Sequence, residues 1–461
     1  MQLNTTESLS SKHHRILIIT ALCLTMAFID FILFVYLADL LAVVFFGPQS
    51  DVWLQYLQTF LLLAVGYLAR PLGGLLFGKY GDTYGRKPAF MLSMLGTMIF
   101  TFIIALLPTY QHIGIIAPML LIIARIGQGI AIGGALPSAW TFVVEHLPVK
   151  NIGLGCGIIC AIGALSYLAV VSAISFLQDT LTPSQILNHG WRILFIFSGG
   201  LGLISSYLLK HLSETPIFDN MTNSSTHLDS YVDIVSLEEQ HSPTPAYTPP
   251  AQVSFRPIGL LNIVQSVIKH HTFAFIVSFI ISLIIASLSM YMPILMTPIL
   301  AENHLLSYEY LYFGSVIGLI FLAFGSVLFG YLTDRFGAGQ VLAFGGMFLI
   351  LQVAVFFHYL QNGGELILIC FALLGLSNGL IGTLPSVMTR LFPAKVRMTG
   401  IGISYNIAHT MIGGILPFLL GYASFYFSLV PALYLAMVGV MAIFLSFFVY
   451  YMPRSKRDLN R

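Results

Sequence analysis

Long apolar runs dominate this chain, and they constrain its fold more than any other feature. About twelve such runs, each ~20 residues long, recur from Ile16 to the C-terminus, and a helix of ~20 apolar residues crosses the ~30 Å hydrocarbon core of a bilayer. Only 8% of the residues are charged, whereas a soluble domain carries about 25%. We therefore predict an all-α membrane protein with twelve transmembrane helices. The expected spans are 16–46, 54–78, 88–107, 113–140, 152–177, 191–211, 271–295, 310–331, 341–360, 366–388, 399–423 and 428–452.

The positions of the cations predict the orientation of these spans. If the N-terminus lies inside, seventeen of the twenty Lys and Arg residues fall on the inner side of the membrane, where such residues are retained. The first apolar run is too long for a signal peptide and lacks a small-residue cleavage site, so it is expected to remain as the first span. The prediction is a multi-pass protein of the cell inner membrane with both termini cytoplasmic.

Several classes of function are disfavoured by composition. The formal net charge is only +2, which gives no indication of nucleic-acid binding. All four cysteines lie inside apolar runs, where a cysteine usually serves as a small packing residue rather than as a metal ligand. The sequence contains no nucleophile–base pair, metal cluster or phosphate-binding loop. We expect no enzyme activity, no cofactor and no bound metal.

A polar segment divides the chain into two halves. Residues 213–270 are rich in Ser, Thr and Pro, and their first part is acidic without a Lys or Arg. This composition predicts a cytoplasmic linker that is disordered between Asn220 and Gln252, followed by an amphipathic surface helix over 257–269. The expected domains are a first six-helix bundle over 1–212, the linker over 213–270 and a second six-helix bundle over 271–461.

The two halves contain matching motifs. The loop Gly78–Arg86 after the second span corresponds to Gly330–Gly337 after the eighth, with Gly, Asp, an aromatic residue and Gly in the same register. Gly134–Ser138 in the fourth span likewise corresponds to Gly382–Ser386 in the tenth. Such a 6+6 duplication predicts two bundles related by a pseudo-two-fold axis. Duplicated membrane carriers bind solute between the repeats near the bilayer midplane and move one repeat against the other.

The duplicated loop resembles the signature of the major facilitator superfamily. Leu68–Gly78 running directly into Gly81–Lys87 further resembles the metabolite:proton symporter branch, whose members carry proline, betaine, α-ketoglutarate, citrate, shikimate and similar solutes. Additional matches include Asp30-Phe31, Ala124–Gly129 and Glu214–Phe218. The resemblance implies a secondary active transporter, with proton-coupled symport of a small organic acid, amino acid or zwitterion by alternating access. The alternative that stays open is an exporter or siderophore carrier of the same fold.

This chain departs from the branch at several acidic positions. Family glutamates are replaced by Ala27, Ala135 and Arg390, and the second loop ends in Ala338-Gly339 rather than in basic residues. Substrate and coupling therefore cannot be copied from the best-known members, and a weaker gate is expected in the second half.

Asp30 and Arg125 are the principal site candidates. Ionisable residues at membrane depth are costly and are functional by default, and an arginine can hold a carboxylate through two parallel hydrogen bonds. We predict that Asp30 and Arg125 couple proton and solute binding, with a structural hydrogen-bonding role as the alternative for Asp30. Six further residues are candidates for the cavity, with bonding between helices as the alternative role of each: Gln128, Tyr291, Asn378, Tyr405, Asn406 and His409.

A second group of residues is expected to form a cytoplasmic gate. Asp82 is predicted to accept backbone hydrogen bonds at the start of the third span, and Arg86 to reach Glu145. A purely topological role is the alternative for the loop from Gly78 to Lys87, and contact with substrate is the alternative for Arg70. The gate set is Arg70, Gly78, Asp82, Gly85, Arg86, Glu145 and Asp334. The expected partners are a small solute, protons and the lipid bilayer, and the protein is expected to act as a monomer.

Overall fold

Twelve helical segments follow the predicted spans. The computed structural model describes residues 9–47, 52–222, 267–291, 308–362 and 366–451. Eleven described helices are long and apolar enough to cross a membrane, and a pair bent by 41° makes a twelfth span. The helices are α1 Ser11–Tyr36, α2 Val52–Tyr84, α3 Arg86–Leu106, α4 Ile116–His146, α5 Ile152–Thr180, α6 Trp191–Lys210, α7 Thr272–Met290, α8 Tyr308–Phe336, α9 Ala338–Asn362, α10 Ile367–Leu391, α11 Arg397–Gly414 and α12 Val430–Tyr451.

Two spans continue beyond an interruption, and one is broken near its middle. A short helix, Ala38–Phe46, extends α1 after Leu37, and Leu416–Tyr426 extends α11. A tighter 3₁₀ turn over Gly379–Gly382 interrupts α10. Helices are expected throughout, because the hydrocarbon core offers no water to backbone N–H and C=O groups and a helix satisfies them within the segment.

Most of the linker is not part of this description. The disorder predicted between Asn220 and Gln252 and the surface helix predicted over 257–269 fall largely on residues 223–266, which lie outside the described residues. The described start of the linker, residues 213–222, includes a short helix over 216–222.

Glycines bring the two halves into backbone contact along two seams. In the first seam, a side chain at Gly74 of α2 would overlap the backbone of Gly402 in α11, and the reverse also holds. In the second, Gly153 of α5 and Gly330 of α8 are related in the same way. Small residues permit this close approach between membrane helices. The α2–α11 and α5–α8 seams are therefore equivalent under the pseudo-two-fold axis.

The loop between α2 and α3 lies next to the start of α11. The loop between α8 and α9 lies next to the start of α5, on the same side of the protein. We call this side the latch face and the other side the opposite face. The two seams run between these faces, and the space that they leave between the halves contains the candidate site.

Candidate solute cavity and latches

A cavity of about 70 Å³ lies between the two halves. Its lining comes from α1, α2, α4 and α5 in the first half and from α7, α8, α10 and α11 in the second. Most of this lining is apolar, and Phe28, Trp140, Tyr167 and Tyr405 give it aromatic walls. Arg70 is the one charged side chain among the described lining residues. The chemistry of the cavity is therefore a single cation within aromatic surroundings.

Arg70 lies in this cavity and not in the gate to which the sequence analysis assigned it. The residue is 3% exposed, and its guanidinium carbon lies 5.5–5.8 Å from the ring centres of Phe31, Tyr67 and Tyr405. Twelve residues of helix separate it from Asp82, which amounts to about 18 Å along α2. That distance places Arg70 well away from the latch face, so its position favours the alternative of substrate contact over a role in the gate.

Asn406 fixes the position of Arg70. Arg70 Nε donates to Asn406 Oδ1 at 3.3 Å, while Asn406 Nδ2 donates to the carbonyl oxygens of Gly133 and Gly402, at 2.7 Å each. Because both amide hydrogens are used on the far side, the oxygen of Asn406 is directed at the guanidinium. Asn406 thus joins α2, α4 and α11 and acts as a positioning residue.

Tyr405 and His409 line the cavity on α11. The Tyr405 ring lies 3.9 Å from the His409 ring and 4.9 Å, edge-on, from Trp140, measured between ring centres. His409 Nδ1 also lies 3.3 Å from the carbonyl oxygen of Tyr405. The two residues line the cavity from the same face of α11, one helical turn apart.

Asp30 and Arg125 do not touch directly; Gln128 connects them. Asp30 is fully buried and accepts hydrogen bonds from Thr101 Oγ1 at 2.6 Å and from Gln128 Nε2. Arg125 in turn donates to Gln128 Oε1. The network lies within the first half, between α1, α3 and α4, and its members do not line the cavity. Gln128 was predicted as a cavity residue, and the structure places it in this network instead.

Arg125 has spare hydrogen-bonding capacity. Its guanidinium carbon lies 3.5 Å from the centre of the Phe34 ring, and its Nε and Nη2 atoms are buried without a hydrogen-bond partner in the described part of the chain. Buried polar groups without partners are rare and need an explanation. Gly66 of α2 packs directly against this guanidinium, one turn away from Arg70 on the same helix.

Two further cavity candidates lie elsewhere. Tyr291 is buried between α7 and α12, where its hydroxyl donates to the carbonyl oxygen of Pro431 at 3.1 Å and its ring stacks on Tyr434. Asn378 is fully buried beside the break in α10, and both polar atoms of its amide lack a partner among the described residues. Neither side chain lines this cavity, and Tyr291 instead bonds a neighbouring helix, which is the alternative role given for it.

Latch 1, formed by Asp82, Arg86, Glu145 and Arg397, closes the latch face along the α2–α11 seam. Arg86 donates to Glu145 through Nε at 3.0 Å and Nη2 at 3.3 Å, the contact that the sequence predicted. Arg397 of the second half donates to the same carboxylate at 2.8 Å. Glu145 therefore lies between two arginines, one from each half.

The carboxylate of Asp82 caps α11 rather than α3. It accepts hydrogen bonds from the backbone N–H groups of Met398 at 3.1 Å and Thr399 at 2.8 Å, and from Thr399 Oγ1 at 2.7 Å. The predicted partner, the start of the third span, was wrong. Gly78, one turn before, allows the approach, because a side chain there would lie 2.7 Å from the Cα atom of Thr399.

Glu214 caps α3 instead. Its carboxylate accepts hydrogen bonds from the backbone N–H groups of Arg86 and Lys87, at 3.1–3.2 Å. Gly85 has φ +119°, and a side chain there would collide with this carboxylate. Thr215 adds a hydrogen bond to Glu145 at 2.7 Å. Burial raises the pKa of Glu214 above its usual range. This role of Glu214 was not predicted, although the segment Glu214–Phe218 matches the pattern of the family.

Latch 2 is the equivalent contact on the α5–α8 seam. Asp334 accepts hydrogen bonds from the backbone N–H groups of Gly153 and Leu154, at 2.7 Å each. These are the second and third residues of α5, just as Met398 and Thr399 are the second and third residues of α11. Each loop aspartate therefore caps a helix of the other half.

Two pseudo-symmetric bundles of membrane-spanning helices, with a cavity between them and latches on one face, are the architecture of a membrane transporter of solutes. The chain belongs to the Major Facilitator Superfamily, whose family model matches residues 17–416 and 277–461. It is a multi-pass membrane transporter and not an enzyme, and the predicted twelve-helix fold is confirmed.

Relatives and solved structures of the same family support this conclusion. The glycine betaine/proline/ectoine/pipecolic acid transporter OusA of Dickeya dadantii is 31% identical, over 92% of this chain and 80% of its own length. The inner membrane metabolite transport protein YhjE of Escherichia coli is 29% identical, over 89% of this chain and 87% of its own length. The proton:xylose symporter XylE of E. coli superposes with a TM-score of 0.76 at 15% identity, covering 97% of each chain, which shows a shared fold.

Proposed function

We propose that this transporter carries a small monocarboxylate with a compact apolar or cationic remainder, such as proline or a betaine, together with a proton. The observation that carries the proposal is the position of Arg70, the one charged side chain among the described lining residues of the cavity. A guanidinium recognises a carboxylate through paired hydrogen bonds. A single cation can neutralise the one carboxylate of a monocarboxylate, but not the two or three carboxylates of a dicarboxylate or tricarboxylate.

The aromatic walls suit the rest of such a solute. A quaternary or secondary ammonium group is attracted to the faces of Trp and Tyr rings, and Trp140, Tyr167 and Tyr405 provide them. A small, largely apolar cavity also suits an amino-acid-sized solute better than a siderophore. The names of the relatives OusA and the proline/betaine transporters of Staphylococcus aureus agree with this class.

In our proposal the proton is carried by Asp30. The carboxyl group is fully buried and is connected to Arg125 only through the amide of Gln128. When the first half rearranges, Arg125 can turn its unused Nε and Nη2 atoms toward Asp30 or away from it, which changes how readily the carboxyl group holds a proton. Gly66 and Arg70, one turn apart on α2, place the solute anchor next to this network.

Uptake into proteoliposomes under an imposed inward proton gradient tests the proposal. We expect labelled proline or glycine betaine to accumulate and α-ketoglutarate not to accumulate. Arg70→Gln should weaken solute binding roughly 10- to 150-fold, which corresponds to the ~1.5–3 kcal/mol of a hydrogen bond to a charged group. Arg335→Gln, which removes an arginine outside the cavity, should leave binding unchanged.

Asp30→Asn, which imitates the protonated acid, should abolish accumulation but leave exchange of solute across the vesicle largely intact. Arg125→Ala should lose both. Accumulation by Asp30→Asn that still depends on the proton gradient would show that the proton binds elsewhere. If a folded Arg70→Gln variant binds solute with wild-type affinity, Arg70 does not bind the carboxylate of the solute.

We also propose that the latch face is cytoplasmic, with both termini and residues 213–270 on that side. The support is the distribution of Lys and Arg, which are retained on the cytoplasmic side of spans. A cysteine placed at Ser230 should resist a membrane-impermeant reagent added to intact cells and react after permeabilisation. Labelling of intact cells would reverse the assignment.

A further inference from the structure

Two polar side chains in the solute cavity have hydrogen-bonding capacity that the described part of the chain leaves unused. His409 of α11 and Trp140 of α4 both line the cavity and are 3% and 2% exposed. Both pack against Tyr405, with ring centres 3.9 Å and 4.9 Å from its own. The Tyr405 ring in turn lies 5.8 Å from the guanidinium carbon of Arg70. An imidazole, an indole and a guanidinium therefore meet around one tyrosine.

The contact at Nδ1 of His409 determines the role of its other ring nitrogen. Nδ1 lies 3.3 Å from the carbonyl oxygen of Tyr405, and a carbonyl oxygen can only accept, so Nδ1 carries the hydrogen. In a neutral imidazole Nε2 is then an acceptor. Because the Nδ1 edge of the ring faces the α11 backbone, the Nε2 edge faces away from it, and Nε2 has no hydrogen-bond partner among the described residues. The cavity thus contains an acceptor that is available to a solute.

The indole of Trp140 supplies an unused donor beside it. Its Nε1–H is buried without a hydrogen-bond partner in the described ranges, although buried polar groups are nearly always paired. An indole N–H can only donate, so it suits a carboxylate oxygen, as the guanidinium of Arg70 does. The acceptor of His409 suits an N–H group instead. A solute that carries both a carboxylate and an N–H would satisfy the two unused groups together.

The spacing of these groups limits how far apart the carboxylate and the N–H of the solute can be. Arg70 and His409 contact the same tyrosine ring, at 5.8 Å and 3.9 Å from its centre, and cannot be farther apart than the sum of these distances. In an α-amino acid the nitrogen lies only ~2.5 Å from the carboxyl carbon. Its carboxylate and nitrogen can therefore engage both side chains at once, each through a hydrogen bond of ~2.9 Å.

We propose that His409 is a specificity-determining residue whose Nε2 accepts an N–H from the solute and thereby selects α-amino and α-imino acids, such as proline, over fully methylated betaines. A quaternary nitrogen carries no hydrogen and would leave Nε2 buried and unpaired. A site built to hydrogen-bond a group of its substrate rejects an analogue that lacks the group. The inference rests on the monocarboxylate function proposed above and narrows it, since proline and betaines share the carboxylate that Arg70 binds.

The test compares three solutes that have the same ring and the same carboxylate. L-Proline, N-methyl-L-proline and N,N-dimethyl-L-proline carry two, one and no hydrogens on the nitrogen in their zwitterionic forms. Their affinities for the full-length protein in nanodiscs are measured by calorimetry, and their accumulation is measured in proteoliposomes. We expect the wild type to bind proline roughly 10- to 150-fold more tightly than the dimethyl compound, the effect of one hydrogen bond to a charged group. N-Methyl-L-proline, which keeps one N–H, should bind nearly as well as proline.

Variants separate the hydrogen bond from the bulk of the added methyl groups. His409→Leu removes the acceptor, so the preference for proline over the dimethyl compound should largely disappear. His409→Gln provides a side-chain acceptor again and should recover part of the preference. Trp140→Phe should weaken all three solutes by the same factor, because they share the carboxylate. His358→Leu is the matched control, since Nδ1 of His358 lies 3.2 Å from Asn362 Nδ2 on α9 and the residue does not line the cavity; the wild-type ratio of affinities should remain.

The outcomes distinguish this inference from the function on which it rests. If none of the three solutes binds or accumulates, the proposed monocarboxylate function is wrong, and the selectivity falls with it. If the wild type binds all three equally, the solute class stands and the selection by His409 is overturned. The same conclusion follows if a folded His409→Leu variant keeps the wild-type ratio, including the case in which all three affinities fall together, because a merely structural role would weaken every solute alike.

Discussion

Replacing Asp82 by Asn isolates the contribution of one latch residue to the closed state. The carboxylate accepts three hydrogen bonds from the start of α11, two of them from backbone N–H groups. An Asn side chain has only one acceptor oxygen. Its NH₂ group would face a backbone N–H, and because both groups are donors no hydrogen bond forms between them. Losing such a helix cap costs about 0.5–2 kcal/mol, and losing the negative charge at a helix N-terminus costs a further ~0.3–1 kcal/mol.

These costs act on the open–closed equilibrium because the bonds join the two halves. The contact of Asp82 with Arg86, at 3.7 Å, lies within the first half, so we expect it to persist when the halves separate and to cancel. The closed state should therefore lose about 1–3 kcal/mol, and the ratio of open to closed latch should rise roughly five- to 150-fold. Transport should slow, while solute binding in the distant cavity survives.

Distances between spin labels at Lys210 and Lys395, one on each half, measure this ratio. Asp39→Asn is the matched control, because Asp39 accepts a hydrogen bond from Thr59 at 2.9 Å within the first half and touches neither latch. It should leave the distance distribution unchanged. If Asp82→Asn folds normally and its closed fraction equals that of the wild type, the cap does not hold the latch. Collapse of solute affinity in the same variant would show that Asp82 acts at the cavity.

Three further substitutions test other parts of the structure. Gly74→Leu should block transport without unfolding the protein, because its side chain would overlap the backbone of Gly402 and prevent closure of the α2–α11 seam; normal uptake would contradict this. The raised pKa of Glu214 means that the folded state binds its proton more readily than the unfolded chain, so wild-type stability should fall as pH rises from about 4.3, the ordinary Glu value, through the raised pKa. Glu214→Gln should lack this slope in thermal unfolding, and an identical slope in both proteins would refute the assignment. Tyr291→Phe removes one hydrogen bond outside the cavity, which should cost stability of about 1 kcal/mol and leave solute affinity unchanged in a binding assay.

The number and approximate ends of the spans could be predicted from the sequence because the bilayer allows few solutions. A run of ~20 apolar residues must form a helix, and the expected 88–107 and 191–211 correspond closely to α3 Arg86–Leu106 and α6 Trp191–Lys210. The Arg86–Glu145 contact was also predictable, since matching motifs place both residues at helix ends on one face.

The depth of Arg70 and the partner of Asp82 were not predictable in the same way. The helix α2 has 33 residues, about half as many again as a bilayer requires, so a count along the apolar run misjudges which residue lies at mid-membrane. Asp82 caps a helix that begins more than 300 residues later, and local sequence favours the nearest helix start. Which face of a helix Asn378 occupies is likewise decided by packing between helices.

One row of positions on α2 connects the Asp30–Arg125 network, the cavity and latch 1. Gly66 packs against Arg125, Arg70 lies in the cavity, Gly74 and Gly78 contact the backbone of α11, and Asp82 caps it. These positions recur every four residues and so form a single ridge about 24 Å long.

Three of the five positions on this ridge are glycines. At these positions the backbone of α2 packs directly against the Arg125 guanidinium or against α11, with no flexible side chain between them that could absorb a displacement. Packed interfaces of this kind change between discrete arrangements rather than by gradual deformation. A shift of α2 that lets Arg125 approach Asp30, or that follows solute binding at Arg70, must therefore also move Gly74 and Asp82 against α11. In the mechanism proposed above, proton, solute and latch 1 are then linked by the position of one stiff helix, and no relay of side chains between Asp30 and Asp82 is needed.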